Sequence, residues 1–71
     1  MTKIIVQITG PANTKKTTLA AIIARILMQN GVAVSLPPDP QRDQKMDDPL
    51  SELLERIRTS DIEVMIMEAR A

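Results

Sequence analysis

Residues 4–18, IIVQITGPANTKKTT, decide how the rest of this chain reads. Ile4, Ile5, Val6 and Ile8, with Gln7 between them, make a β-branched run that stops at Gly10-Pro11, the pattern of a buried strand in a parallel sheet. From Thr17 onward Leu19, Ile22, Ile23, Ile26 and Leu27 recur at helical spacing until Asn30-Gly31 supplies a stop, so a helix is expected there. The segment therefore reads as strand, loop and helix, with the polar loop from Thr9 to Thr18 between the two regular elements.

The alternation continues downstream. Val32 to Leu36 reads as a short second strand, after which Pro37, Pro38 and Pro40 forbid further ladder pairing and open a polar loop, PPDPQRDQKMDDP. Asp48 can cap a second helix with Pro49 in its first turn, and Leu50, Leu53, Leu54 and Ile57 then form one apolar stripe. Ile62 to Met67 is a run with only Glu63 polar, as expected of a strand covered on both faces. The order β-α-β-α-β predicts an α/β fold, a three-layer α/β/α sandwich around a small parallel three-stranded sheet with right-handed crossovers. Its strand order is 2-3-1 if the apolar last strand is central, or 2-1-3.

At 71 residues the whole chain, 1–71, is one small domain, and it has no cysteine or histidine to supply a disulfide or a common metal staple. Nine basic and nine acidic residues cancel, so no global field attracts nucleic acid or an anionic membrane. Phe, Tyr and Trp are absent, which removes the platforms on which single-stranded bases commonly stack. The start MTKIIVQITG is too short an apolar run for a signal peptide and no stretch has the length of a membrane span, so a cytoplasmic location is expected. With only Gly10 and Gly31 the chain lacks a dinucleotide fingerprint, and without His or Cys it lacks the common nucleophile-base pairs and zinc sites.

Strand, loop and first helix resemble the start of a P-loop NTPase, whose pattern is G-x-x-x-x-G-K-[ST]. Gly10, Lys16 and Thr17 match it, and Lys15 stands in place of the second glycine. The resemblance implies a nucleotide cradled by Gly10, Pro11, Ala12, Asn13, Thr14, Lys15, Lys16, Thr17 and Thr18, with Lys16 on the β- and γ-phosphates. It implies ATP or GTP with Mg2+ as cofactor, Thr17 as a magnesium ligand, and Glu68, which closes the apolar run VMIMEA, as the acidic residue that orients the metal. A glycine at position 15 would let the backbone approach a phosphate closely and take dihedrals that a β-carbon resists, whereas Lys15 adds an ammonium beside the anion. The loop is thus a degraded one, suited to phosphate binding with weak or no hydrolysis.

Other candidates have plainer explanations. Asp39, just past the second strand, is a turn residue among prolines or faces the crevice at the strand ends. Arg70 is an exposed terminal arginine, Met65 and Met67 fill a core, and ELLERIR is a solvated helix face with Glu52 and Arg56 at i,i+4. An alternative function follows from size: a non-catalytic interaction module acting through self-association or a protein partner. The exposed edge of so small a sheet, with IIVQI as its edge strand, predicts a homodimer.

Overall fold

A computed structural model describes residues 2–70. Among them the chain forms three helices: α1, Lys16–Gln29; α2, Pro40–Lys45; and α3, Leu50–Arg58. The Leu19 N–H donates to the Lys15 carbonyl at 3.0 Å and closes the first turn of α1. At the other end Gly31 takes φ 83, its N–H donates to the Met28 carbonyl at 3.1 Å, and the Val32 N–H donates to the Leu27 carbonyl at 3.0 Å. These two bonds are the Schellman pair expected of Asn30-Gly31, and a left-handed residue there is what glycine supplies without steric strain.

The expected polar loop contains a helix. Asp39 caps α2: its Oδ1 accepts from the Gln41 N–H at 3.0 Å and the Arg42 N–H at 3.4 Å, with Pro40 in the first helical position. The same Asp-Pro pairing at Asp48-Pro49 opens α3 differently. Pro49 is the cap residue, with no side-chain bond, and Asp48 turns to two arginines instead. Its carbonyl accepts from Arg25 of α1, and its Oδ2 accepts from Arg56 at 3.1 Å.

The core is a contact between helices. Ala21, Ile22 and Leu53 form the buried cluster, with Met46, Leu50 and Ile57 packed against it; Ala24, also buried, lies outside that cluster. α1 packs on α3 through Ala21 and Ile22 facing Leu53, and α2 lies against α1 as well. Alanine at 21 lets the helix backbones approach, and Leu53, fully buried, fills the space between them. The expected stripe on α3 holds at Leu50, Leu53 and Ile57, while Leu54 faces outward.

The α/β expectation fails. Among the described residues there is no strand and therefore no three-layer α/β/α sandwich, no parallel sheet of either strand order, and no P-loop architecture with a loop seated on a strand end. The reason lies in the backbone bonds. A strand exists only through a ladder, and none of the backbone bonds outside the helices joins any two of the segments 4–8, 32–36 and 62–67. Ile4, Ile5 and Val6 are exposed, as are Val64, Met65, Ile66 and Met67, so the β-branched runs lie outside the core. Helices close their bonds within a few residues, but parallel pairing of these runs requires crossovers of a dozen residues or more, and it is the local structure that this chain forms. Among the described residues no helix is long and apolar enough to cross a membrane.

Because Leu53 is fully buried in the core and Leu54 is exposed, Leu53→Ala should lower unfolding free energy by about 2–4 kcal/mol, whereas Leu54→Ala should change it by less than about 1 kcal/mol. Urea titration followed by circular dichroism checks both, and similar losses at the two positions would contradict the packing described.

Candidate functional site

The loop before α1 is closed by its own side chains. Thr14 Oγ1 donates to the Pro11 carbonyl at 2.7 Å, and Lys16 Nζ reaches back to donate to the Gly10 carbonyl at 2.9 Å. Two residues adopt left-handed backbone, Asn13 at φ 62 and Lys15 at φ 70, ψ 23. Asparagine visits this region readily. Lysine does so at a cost of about 1–2 kcal/mol, so the position where the P-loop pattern has glycine carries the conformation that glycine serves best. Gly10 is unlike it: its φ is not positive, and an added β-carbon would meet Thr14 Oγ1 at 3.6 Å and the Lys16 stem at 3.7 Å, ordinary contact distances.

The N-terminal end of α1 is electrostatically open. Lys15 is its cap residue with no side-chain bond, and its first turn contains no acidic residue. The N–H groups of that first turn have no intrahelical acceptor and carry the positive end of the helix dipole. At α2, by contrast, Asp39 binds two of those groups, and the first turn of α3 contains Glu52.

Helix packing gathers further side chains at this end. A cleft of about 380 Å³ is lined by Asn13, Thr14, Lys15, Lys16, Thr17 and Thr18 together with Gln41 and Lys45 of α2 and Arg56 of α3. Six of the residues expected to form the site thus share one cleft. Gly10, Pro11 and Ala12 do not line it, and Thr18 is almost fully buried. Arg56 is already engaged, donating to Glu52 Oε1 at 2.7 Å and to Asp48 Oδ2 at 3.1 Å. The hydrogen bond to Glu52, and after it the one to Asp48, holds the Arg56 guanidinium above its ordinary pKa. A raised value on a base leaves its charge intact at every pH below the unperturbed guanidinium range, so the cation is constant at neutrality. Lys15 and Lys45 form no ion pair among the described residues.

Glu68 lies in the exposed run after Ile62 and does not line the cleft, so the structure does not bring it to Thr17. Among the described residues no group of three His, Cys, Asp or Glu could hold a metal ion. Thr17 alone does not make a magnesium site, which needs several oxygen ligands in octahedral geometry. Asp39 is a helix cap rather than a crevice residue, and Arg70 is exposed. Sequence reasoning missed Gln41, Lys45 and Arg56, which reach the cleft only because α2 and α3 pack on α1; Arg56 read as part of a solvated face.

Compared with known proteins, the chain matches no family model, no curated protein and no solved structure. The resemblance to P-loop NTPases therefore rests on Gly10, Lys16 and Thr17 in the sequence.

The strained position gives a stability test. Lys15→Gly should raise unfolding free energy by about 1 kcal/mol, and Lys15→Ala should give no such gain because alanine keeps the β-carbon. Gly10→Ala should be neutral to within about 0.5 kcal/mol. Equal effects of glycine and alanine at position 15 in chemical denaturation would contradict a left-handed Lys15.

Proposed function

We propose that this chain binds the phosphate groups of a nucleotide in the cleft at the start of α1, with ATP or GTP as the nucleotides that the resemblance implies and with weak hydrolysis or none. The observation that carries the reading is the convergence of Lys15 from the loop, Lys16 from the first turn of α1, Lys45 from α2 and Arg56 from α3 on a helix N-terminus that, alone among those of the described residues, has neither a side-chain cap nor an acid in its first turn. An anion there meets unpaired N–H groups, a helix dipole and ammonium groups together. Lys16 can exchange the Gly10 carbonyl for a phosphate oxygen, a stronger acceptor because it is charged. Lys15 and Lys45 are placed to neutralise further oxygens, and Gln41 offers an amide. Magnesium would arrive on the phosphate oxygens and water, with the Thr17 hydroxyl at most one ligand among them.

The expected weak hydrolysis is in keeping with the lining. No carboxylate lines the cleft, and the nearby Asp48 and Glu52 are held by Arg56, so a carboxylate base is not among the groups that face a bound phosphate. No aromatic side chain exists in the chain to stack on a base, so recognition rests on the phosphates.

Calorimetric titration with ATP and with inorganic triphosphate tests the reading. Both should bind comparably, Lys16→Ala should weaken binding at least tenfold, and Lys45→Ala should weaken it several-fold. Affinity should also fall as salt rises, because the cations are solvent-exposed and screened. No heat with either ligand at millimolar concentration, or unchanged affinity in Lys16→Ala, would overturn the assignment.

A second reading, a non-catalytic module that acts by self-association, is favoured by a separate observation: the exposed apolar run Val64 to Met67. Contiguous apolar surface of this kind marks an interaction site on a water-soluble chain.

A further inference from the structure

α1 has two apolar faces on nearly opposite sides. At about 100° per residue, Ala21 and Ile22 share the side that packs on Leu53, while Ala20, Ile23, Ala24 and Leu27 follow the i, i+3, i+4, i+7 rule on the other. This second side forms one wall of a groove of about 730 Å³, whose remaining lining comes from residues 2–8 and 32–36, with Ile4, Val6, Ile8, Val34 and Leu36 among them. A groove of this volume is within the range of about 300–1,000 Å³ that accommodates a compact apolar ligand. Its one charged lining residue is Lys3.

The chain also carries a segment that matches this groove and does not occupy it. Met65, Ile66 and Met67 are 73%, 89% and 78% exposed, and no residue beyond Leu36 lines the groove. Glu63 and Glu68 flank the apolar run, opposite in sign to Lys3. Methionine suits such a role, since its flexible thioether chain adapts to an irregular apolar surface.

Resting on the self-association reading, we propose that the apolar groove along the second face of α1 is the docking site for residues Val64 to Met67 of a second copy of this chain. Exchange about a two-fold axis seats both tails at once, because each copy offers one groove and one tail. The carboxylates of Glu63 and Glu68 bracket the docked run, and one of them meets the ammonium of Lys3. The occupant is identified by three matched properties: apolar tail against apolar groove, acidic flanks against a basic lining residue, and near-complete exposure of the tail against an open groove.

Sedimentation velocity on the full chain, with circular dichroism to confirm that helix content is unchanged, tests the proposal. Ile66→Asp disables the tail and Val6→Asp disables the groove, both at exposed positions away from Leu53. The wild-type chain should sediment as a dimer, at twice its 7.9 kDa mass, at low micromolar concentration. Each variant alone should dimerise at least tenfold more weakly. An equimolar mixture of the two should recover heterodimer, since one intact tail then meets one intact groove. Lys3→Glu should weaken the dimer several-fold, and pairing it with Glu68→Lys should restore it. A folded wild-type monomer at high micromolar concentration would overturn both this assignment and self-association; it is also the result expected if the tail folds onto its own groove or if a different protein is the true partner. A wild-type dimer that the variants leave intact, or variants that weaken it without recovery on mixing, would leave self-association standing and overturn the tail-in-groove geometry.

Discussion

The contact of Leu53 with Ala21 and Ile22 is the constraint on which the rest of the structure depends. A chain without aromatic residues has few ways to bury much area from one position, and here Leu53, fully buried, and Ile22, nearly so, are the large side chains of the helix contact. That contact also fixes the rotation of α3 about its axis. Arg56 lies three residues beyond Leu53 on a neighbouring part of the same face, so burying the leucine carries the guanidinium to the start of α1. Core packing and the charge of the cleft are thus set by one helix orientation. Asp48 ties the arrangement together, its carbonyl taking Arg25 of α1 and its carboxylate taking Arg56 of α3.

The loop before α1 gives up backbone comfort for charge. A glycine at position 15 would occupy φ 70 without strain but would bring no side chain, whereas lysine at the same dihedrals places an ammonium on the cleft wall. The helix end behind it is left without a cap. In α2 the Asp39 carboxylate occupies the space and the N–H groups that an outside anion would use, which is why the two helix starts differ in chemistry although both follow a turn. The strain at Lys15 is small against typical domain stability but large for a core of this size.

The helices were legible in the sequence to the extent that their signals are local. The spacing of Leu19, Ile22, Ile23, Ile26 and Leu27 places α1 within a residue of its observed start, and Asn30-Gly31 forms the expected C-terminal cap. The α2 helix was hidden because Pro37, Pro38 and Pro40 read as loop signals, although Asp39-Pro40 is the same cap-and-first-position pair that announced α3 at Asp48-Pro49. The three β-branched runs were legible as apolar segments but not as strands, since periodicity says which residues want to leave water and not which backbone groups they meet. The cleft was half legible: Asn13 to Thr18 are contiguous in sequence, whereas Gln41, Lys45 and Arg56 join them through packing that no spacing rule encodes. Glu68 was drawn in by a pattern whose strand is not formed.

The two surfaces left open by this fold share α1 and nothing else. The cleft is lined from its N-terminal loop and from α2 and α3; the groove is lined from its second apolar face and from residues 2–8 and 32–36, and the two lining sets have no residue in common. Any coupling between the phosphate and the docked segment proposed for them would therefore require a change in α1 itself or in the loop from Thr9 to Ala12 that joins residue 8 of the groove to residue 13 of the cleft. Two side-chain bonds tie that loop to the cleft side, Lys16 Nζ to the Gly10 carbonyl and Thr14 Oγ1 to the Pro11 carbonyl. Were a phosphate to draw Lys16 away, the Gly10 carbonyl would lose that bond, while Thr14 Oγ1 would still close the loop on the Pro11 carbonyl.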